Sequence, residues 1–137
     1  MNPAFRTTFA WILRIGLGLL FAVAGAEKIL DPVGFAFAVD RYGILPEAAV
    51  PAVALGLPWV EVLSAGVLLI PSWRQSGQML IAAMMAVFVA AVTYALVSGI
   101  EGECGCLAGM ALSWPTAILK ALLLGAAVWL VREDQAP

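Results

Sequence analysis

The sequence predicts an all-α membrane protein, a bundle of four spanning helices, and three observations carry that prediction. The chain is 64% hydrophobic and 12% charged, where soluble domains carry about 25% charged residues. Four long apolar stretches run at about 8–30, 48–70, 77–98 and 114–131, each near the roughly 20 residues a helix needs to cross the hydrocarbon. Proline and glycine punctuate between them, at Asp31-Pro32, Leu45-Pro46, Pro71-Ser72 and from Gly102 to Gly109. A soluble globule this small has too little interior to hide so much apolar surface, so the solvent is lipid. A length of 137 residues gives one domain over 1–137, nearly without extramembrane structure.

The first span ends in Ala24-Gly25-Ala26, a pattern shared with signal-peptide cleavage sites. Arg14 lies inside the run, where a signal segment is uncharged, so the stretch is expected to be a retained helix. Gly18, Ala22 and Ala26 recur every four residues along it, a small-residue stripe that lets helices approach in lipid. The next segment, Asp31 to Pro46, mixes Phe35, Phe37 and Tyr42 with small residues and reads as a short interfacial helix. The third span offers a second stripe at Ala82, Ala86 and Ala90, and the fourth a third at Ala121 and Gly125. Trp11, Trp73 and Trp129 fall at one boundary and Trp114 at the other, as an aromatic belt does.

Arg6, Arg74 and Arg132, with Arg14 close by, gather on one side. Lys28 and Arg41 lie on the other, where the loop over 99–113 adds Glu101 and Glu103. The positive-inside bias therefore puts both termini in the cytoplasm and this loop outside. A net charge of −2 without a basic run excludes a nucleic-acid partner. The absence of histidine removes the commonest metal ligand and neutral-pH proton shuttle.

Arg14, Glu61 and Lys120 sit within apolar runs, where an ionised group normally faces a partner. Arg14 lies about 9 Å and Glu61 about 14 Å from the inner ends of their helices, at 1.5 Å per residue. An arginine covers that difference, so Arg14–Glu61 is the expected structural ion pair, fixing helix register. Lys120 lies about 9 Å below the outer end of the last span, with Glu27, Asp31 or the outer loop to neutralise it. Glu27 and Lys28 complete the outer-face charges.

The outer loop reads "EGECGCLAGM" and holds both cysteines, Cys104 and Cys106. A disulfide needs Cα atoms about 4.4–6.8 Å apart, which residues two apart reach only over a bent backbone. Gly105 is the residue best able to bend. So small a ring restrains almost nothing as a staple, whereas strained, exposed disulfides are the labile kind used in exchange. Two thiolates near Met110 also suit Cu(I), which stays an alternative reading, but with no histidine or third cysteine no metal is expected. The pair reads as a redox dithiol, Lys120 serving to stabilise a thiolate. A non-catalytic reading stays open, a membrane scaffold for a soluble oxidoreductase.

Taken in order, "RIGLGLLFAVAGAEKILDP", "FAFAVDRYGILP", "LPWVEVLSAGVLLI", "ECGC" and "WPTAILK" resemble the MauE branch of the DoxX/MauE membrane proteins over nearly the whole chain. Arg14, Lys28, Glu61, Cys104 and Cys106 fall on the family's recognisable positions. Two positions depart from its pattern. Leu107-Ala108 follows the second cysteine where Phe-Gly is common, and Lys120 stands where arginine is common, keeping the charge without its bidentate geometry. The resemblance implies a redox-associated protein of the bacterial inner membrane, with its Cys loop towards the periplasm. It implies work with a thioredoxin-like partner in disulfide formation or maturation of an exported protein, methylamine dehydrogenase in the MauE case. A membrane quinone is then the expected electron acceptor.

Overall fold

The computed structural model describes residues 1–103, 105 and 110–136. Five α-helices follow one another: α1 (Pro3–Leu30), α2 (Pro32–Arg41), α3 (Val50–Leu68), α4 (Arg74–Val97) and α5 (Trp114–Gln135), with a 3₁₀ turn at Glu47–Ala49 leading into α3. Four of them, α1, α3 with its leading turn, α4 and α5, are long and apolar enough to span a membrane. Large apolar side chains such as Leu19, Leu63, Val87 and Leu122 face outwards along all four, the arrangement of a bundle solvated by lipid and not by water. The expected interfacial helix is α2, which packs on the start of α3. We refer to the end carrying the 98–113 segment as the loop end and to the other as the terminal end.

Three helices start by the same device. Asn2, Asp31 and Ser113 precede α1, α2 and α5, and each side chain accepts a backbone N–H of the first turn, Asn2 from Ala4, Asp31 from Gly34 and Ser113 from Thr116. A proline follows within two residues in every case, where its missing N–H costs nothing. Capping of this kind fixes where the chain turns between spans.

The tightest packing is between α1 and α3. Gly18 meets Ala65 and Leu68, and Gly25 meets Pro58 and Val62, so the two helices run antiparallel. At Gly25 a methyl group would lie 2.6 Å from Val62 Cγ2 and 2.8 Å from the Pro58 carbonyl oxygen. The small-residue contact thus keeps Gly18 of the expected stripe and continues through Gly25, whereas Ala26 is exposed. Likewise Ala86, Ala90, Ala121 and Gly125 face outwards, and α4 buries Gly77, Gln78, Ile81, Met84, Met85, Val92 and Ala95 instead. Larger side chains fill the core: Leu17, Phe21, Leu68, Ile81, Met85 and Leu130.

The expected Arg14–Glu61 pair does not form. Arg14 is bound to Asp134, while Glu61 is bound to Lys28. The cause is register. With Gly18 at the level of Leu68 and Gly25 at the level of Pro58, Arg14 and Glu61 lie on the order of 15 Å apart along the bundle axis, at 1.5 Å per residue. The first span also starts earlier and the last ends later than the apolar pattern indicates. Acidic residues of α5 are thereby brought to Arg14 and to Arg6, whose Nη2 lies 2.6 Å from Glu133 Oε2. Trp11 completes this end, with the guanidinium of Arg74 4.7 Å and that of Arg14 5.5 Å from its ring centre.

Candidate functional site

The loop end gathers the remaining intramembrane charges. Lys28 is buried on the inner face of α1, one turn beyond Ala24 and Gly25. That turn faces Glu61 on α3, whose buried position follows from the spacing Ala54, Pro58, Glu61, Ala65 along one helix face. Lys28 Nζ lies 3.0 and 3.1 Å from the two Glu61 carboxylate oxygens. It also sits 5.3 Å from the ring centre of Phe35 on α2 and 6.0 Å from that of Phe88 on α4. Lys28 was expected among the outer-face charges, and here it is the partner of Glu61. Glu27, its neighbour, is half-buried.

Lys120 is 5% exposed and sits on the buried face of α5 with Thr116 and Ala117. Its Nζ lies 5.8 Å from the ring centre of Phe88, the ring that Lys28 also approaches. Asp31 is not its counter-ion, because that carboxylate caps α2. Among the described residues Lys120 forms no salt bridge. Glu61 lines the same cavity as Lys120. That cavity, about 60 Å³, is walled by Phe21 and Ala24 of α1, Met85 and Phe88 of α4, Lys120 of α5 and Met110. A second chamber of about 180 Å³ lies across Phe88, bounded by Lys28, Phe35, Tyr42, Leu57, Val87 and Gly105. Phe88 is the shared wall.

The cysteines, Cys104 and Cys106, lie outside the described residues. The segment around them is anchored on both sides. Glu103 pairs with Ala111 in an antiparallel bridge, and the Leu112 N–H donates to the Gly102 carbonyl oxygen at 2.7 Å. Gly102, at φ +132°, packs against the Arg41 guanidinium at the end of α2. Gly105, the residue between the cysteines, adopts φ +74°, and a methyl group there would lie 3.0 Å from Ala38 Cβ. This left-handed backbone is a conformation that glycine adopts readily.

The sequence missed Phe35 and Met110 as neighbours of these charges, since aromatic and thioether residues carry no signal of their own in an apolar chain. Phe88, with Thr93 and Tyr94, stood out in the sequence only as a residue that could line a pocket or simply pack in the core, and it is one of two aromatic residues on α4. Thr93 and Tyr94, on the same helix, are exposed.

The family model for methylamine utilisation protein MauE matches residues 6–132. A methylamine utilization protein MauE from Paracoccus denitrificans is 35% identical over 97 residues, covering 70% of this chain and 52% of that protein. Its counterpart from Paracoccus versutus is 35% identical over 128 residues, covering 88% of this chain and 69% of the relative. The chain therefore spans about half the length of the first relative and about two thirds of the second. No solved structure matches.

Proposed function

The chain belongs to the MauE family of methylamine utilisation proteins, and from that premise we propose that it serves methylamine utilisation as a membrane thiol–disulfide redox protein. Its working group is the Cys104/Cys106 pair. A thiolate of a thioredoxin-like partner attacks the Cys104–Cys106 disulfide, forming a mixed disulfide, and the partner's second thiolate resolves it. The partner leaves oxidised and this chain is left with two thiols. Re-oxidation releases two electrons and two protons, the number a lipid-soluble quinone takes up on becoming a hydroquinone. The oxidised partner then passes its disulfide to an exported protein. The loop end faces the periplasm in this reading, on the strength of Arg6, Arg14, Arg74 and Arg132 at the terminal end.

One observation carries the reading. Gly105 sits in left-handed backbone against Ala38 and Phe35, at the end of the bundle where Lys28, Glu61 and Lys120 are buried. A cation near a thiol raises its thiolate fraction, and Lys120 shares its cavity with Met110, four residues beyond Cys106. The test is thiol trapping in intact cells with a membrane-impermeant maleimide, with and without prior reduction and with quinone synthesis blocked. The expected result is a pair accessible from outside, oxidised at rest, and held reduced when quinone is absent. Thiols that stay reduced throughout, or that label only from the cytoplasm, overturn the relay. Retention of function in a Cys104→Ser/Cys106→Ser variant points to the scaffold reading instead.

A further inference from the structure

We infer that the groove between α2 and the start of α3 is a binding site for a phospholipid with an ammonium head group. The inference stands apart from the redox reading above. The groove holds about 450 Å³, within the roughly 300–1,000 Å³ of small-ligand sites. Its walls are apolar, with Val33, Ala36 and Phe37 contributed by α2 and Val50, Ala54 and Leu55 by α3. Val33, Phe37 and Leu55 are 64%, 67% and 61% exposed, so the groove is open to whatever solvates the bundle. Beside a spanning helix such as α3 that solvent is lipid.

Two acidic side chains complete the lining, Asp40 in the last turn of α2 and Glu47 in the turn before α3. Both are exposed, and neither forms a salt bridge among the described residues. No lysine or arginine lines the groove. Arg41, next to Asp40, packs on Gly102 instead. Along α3 the lining extends from Glu47 to Leu55, about 7.5 Å below the first residue of the helix at 1.5 Å per residue. The groove thus joins two carboxylates at the membrane boundary to apolar walls within the bilayer. A matching occupant has a cation at the boundary and a hydrocarbon chain beneath it, as an amine-headed phospholipid does. Its ammonium donates to the carboxylates while an acyl chain lies against Phe37 and Leu55. An anionic, glycerol-headed phospholipid brings its phosphate to the same carboxylates without a compensating cation, and like charges repel more strongly there than in bulk water. A segment of a soluble partner is the poorer fit, because Leu55 lies below the level such a partner reaches.

Native mass spectrometry of the delipidated full chain tests the site, with phosphatidylethanolamine and phosphatidylglycerol of identical acyl chains as probes. Phosphatidylethanolamine is expected to bind saturably and about three- to tenfold more tightly than phosphatidylglycerol, the fold-change of one or two boundary ion pairs. Asp40→Asn/Glu47→Gln is expected to abolish that preference. Glu101→Gln/Glu103→Gln, on the neighbouring loop, is expected to keep it. A phosphatidylethanolamine with a photoreactive diazirine in its acyl chain is expected to label residues 32–37 and 50–55, which bound the groove. Leu55→Trp, which fills the groove without touching a charge, is expected to abolish that label and keeps the test decisive should the acidic variant fail to fold. Equal affinity for the two lipids, an undiminished preference in Asp40→Asn/Glu47→Gln, or label confined to other faces of the bundle overturns the assignment. A basic amphipathic peptide that cross-links to the groove while the two lipids bind equally overturns it in favour of a protein partner.

Discussion

Lys28 and Glu61 form a buried ion pair across α1 and α3, 5% and 1% exposed, with the ammonium 3.0 Å from one carboxylate oxygen and 3.1 Å from the other. Removing one partner of such a pair leaves an uncompensated charge, at roughly 3–5 kcal/mol. Glu61→Gln is the harsher change, because it leaves both Lys28 and Lys120 facing an uncharged amide. Thermal unfolding in detergent should show Glu61→Gln and Lys28→Met each destabilised, and Lys28→Met/Glu61→Leu partly recovered. Single variants as stable as the parent would falsify the pair as a structural element.

Gly25 and Gly125 make a controlled comparison on two spans. A methyl group at Gly25 meets Val62 and the Pro58 carbonyl inside 3 Å, whereas one at Gly125 meets nothing within 4 Å. Gly25→Ala is expected to separate α1 from α3 and lower the unfolding midpoint. Gly125→Ala is expected to leave it unchanged or raise it slightly, by about 0.5–1 kcal/mol of helix propensity. Equal effects of the two substitutions would mean that α1 and α3 are not in close backbone contact.

The terminal end should depend on the acidic end of α5. Asp134 binds the buried Arg14, and Glu133 binds the more exposed Arg6. Asp134→Ala is therefore expected to cost more stability than Glu133→Ala, since exposed pairs contribute only about 0–1 kcal/mol. A double-mutant cycle of Arg14→Met with Asp134→Leu should give a coupling energy beyond experimental error. Coupling indistinguishable from zero would rule the pair out.

At the loop, Gly105 tests backbone geometry apart from global stability. Its φ of +74° disfavours any side chain, and Ala38 leaves little room for one. Gly105→Ala should slow maleimide labelling or re-oxidation of the cysteine pair several-fold while the unfolding midpoint barely moves, because loops at chain ends of spans open at little cost. If reactivity is unaltered, the docking of Gly105 on α2 has no bearing on the thiols.

The sequence made the four spans legible because lipid imposes length and apolarity on every crossing segment, and it made α2 legible through its aromatic and small residues. It also marked Arg14, Glu61 and Lys120 as buried charges. It could not say which of them meet. Pairing depends on the axial register of α1 against α3, and that register is set by Gly25 against Pro58 and Val62, a close approach with no periodic signature. The stripes at Ala82–Ala90 and Ala121–Gly125 misled for a related reason. In a chain this rich in alanine, small residues occur on lipid-facing surfaces too, and the buried face of α4 is marked instead by Gln78, Met84 and Met85. The tripeptide Cys104-Gly105-Cys106 was conspicuous from the start; the neighbours gathered around Gly105, namely Ala38 and Phe35, come from a helix more than sixty positions earlier in the chain.

Phe88 is the partition between the 60 Å³ and 180 Å³ chambers, with Lys120 on one side of its ring and Lys28 on the other. Cut back to alanine, the wall that the two chambers share is gone. One side chain thus bounds both chambers, and the orientation of its ring sets the space on either side.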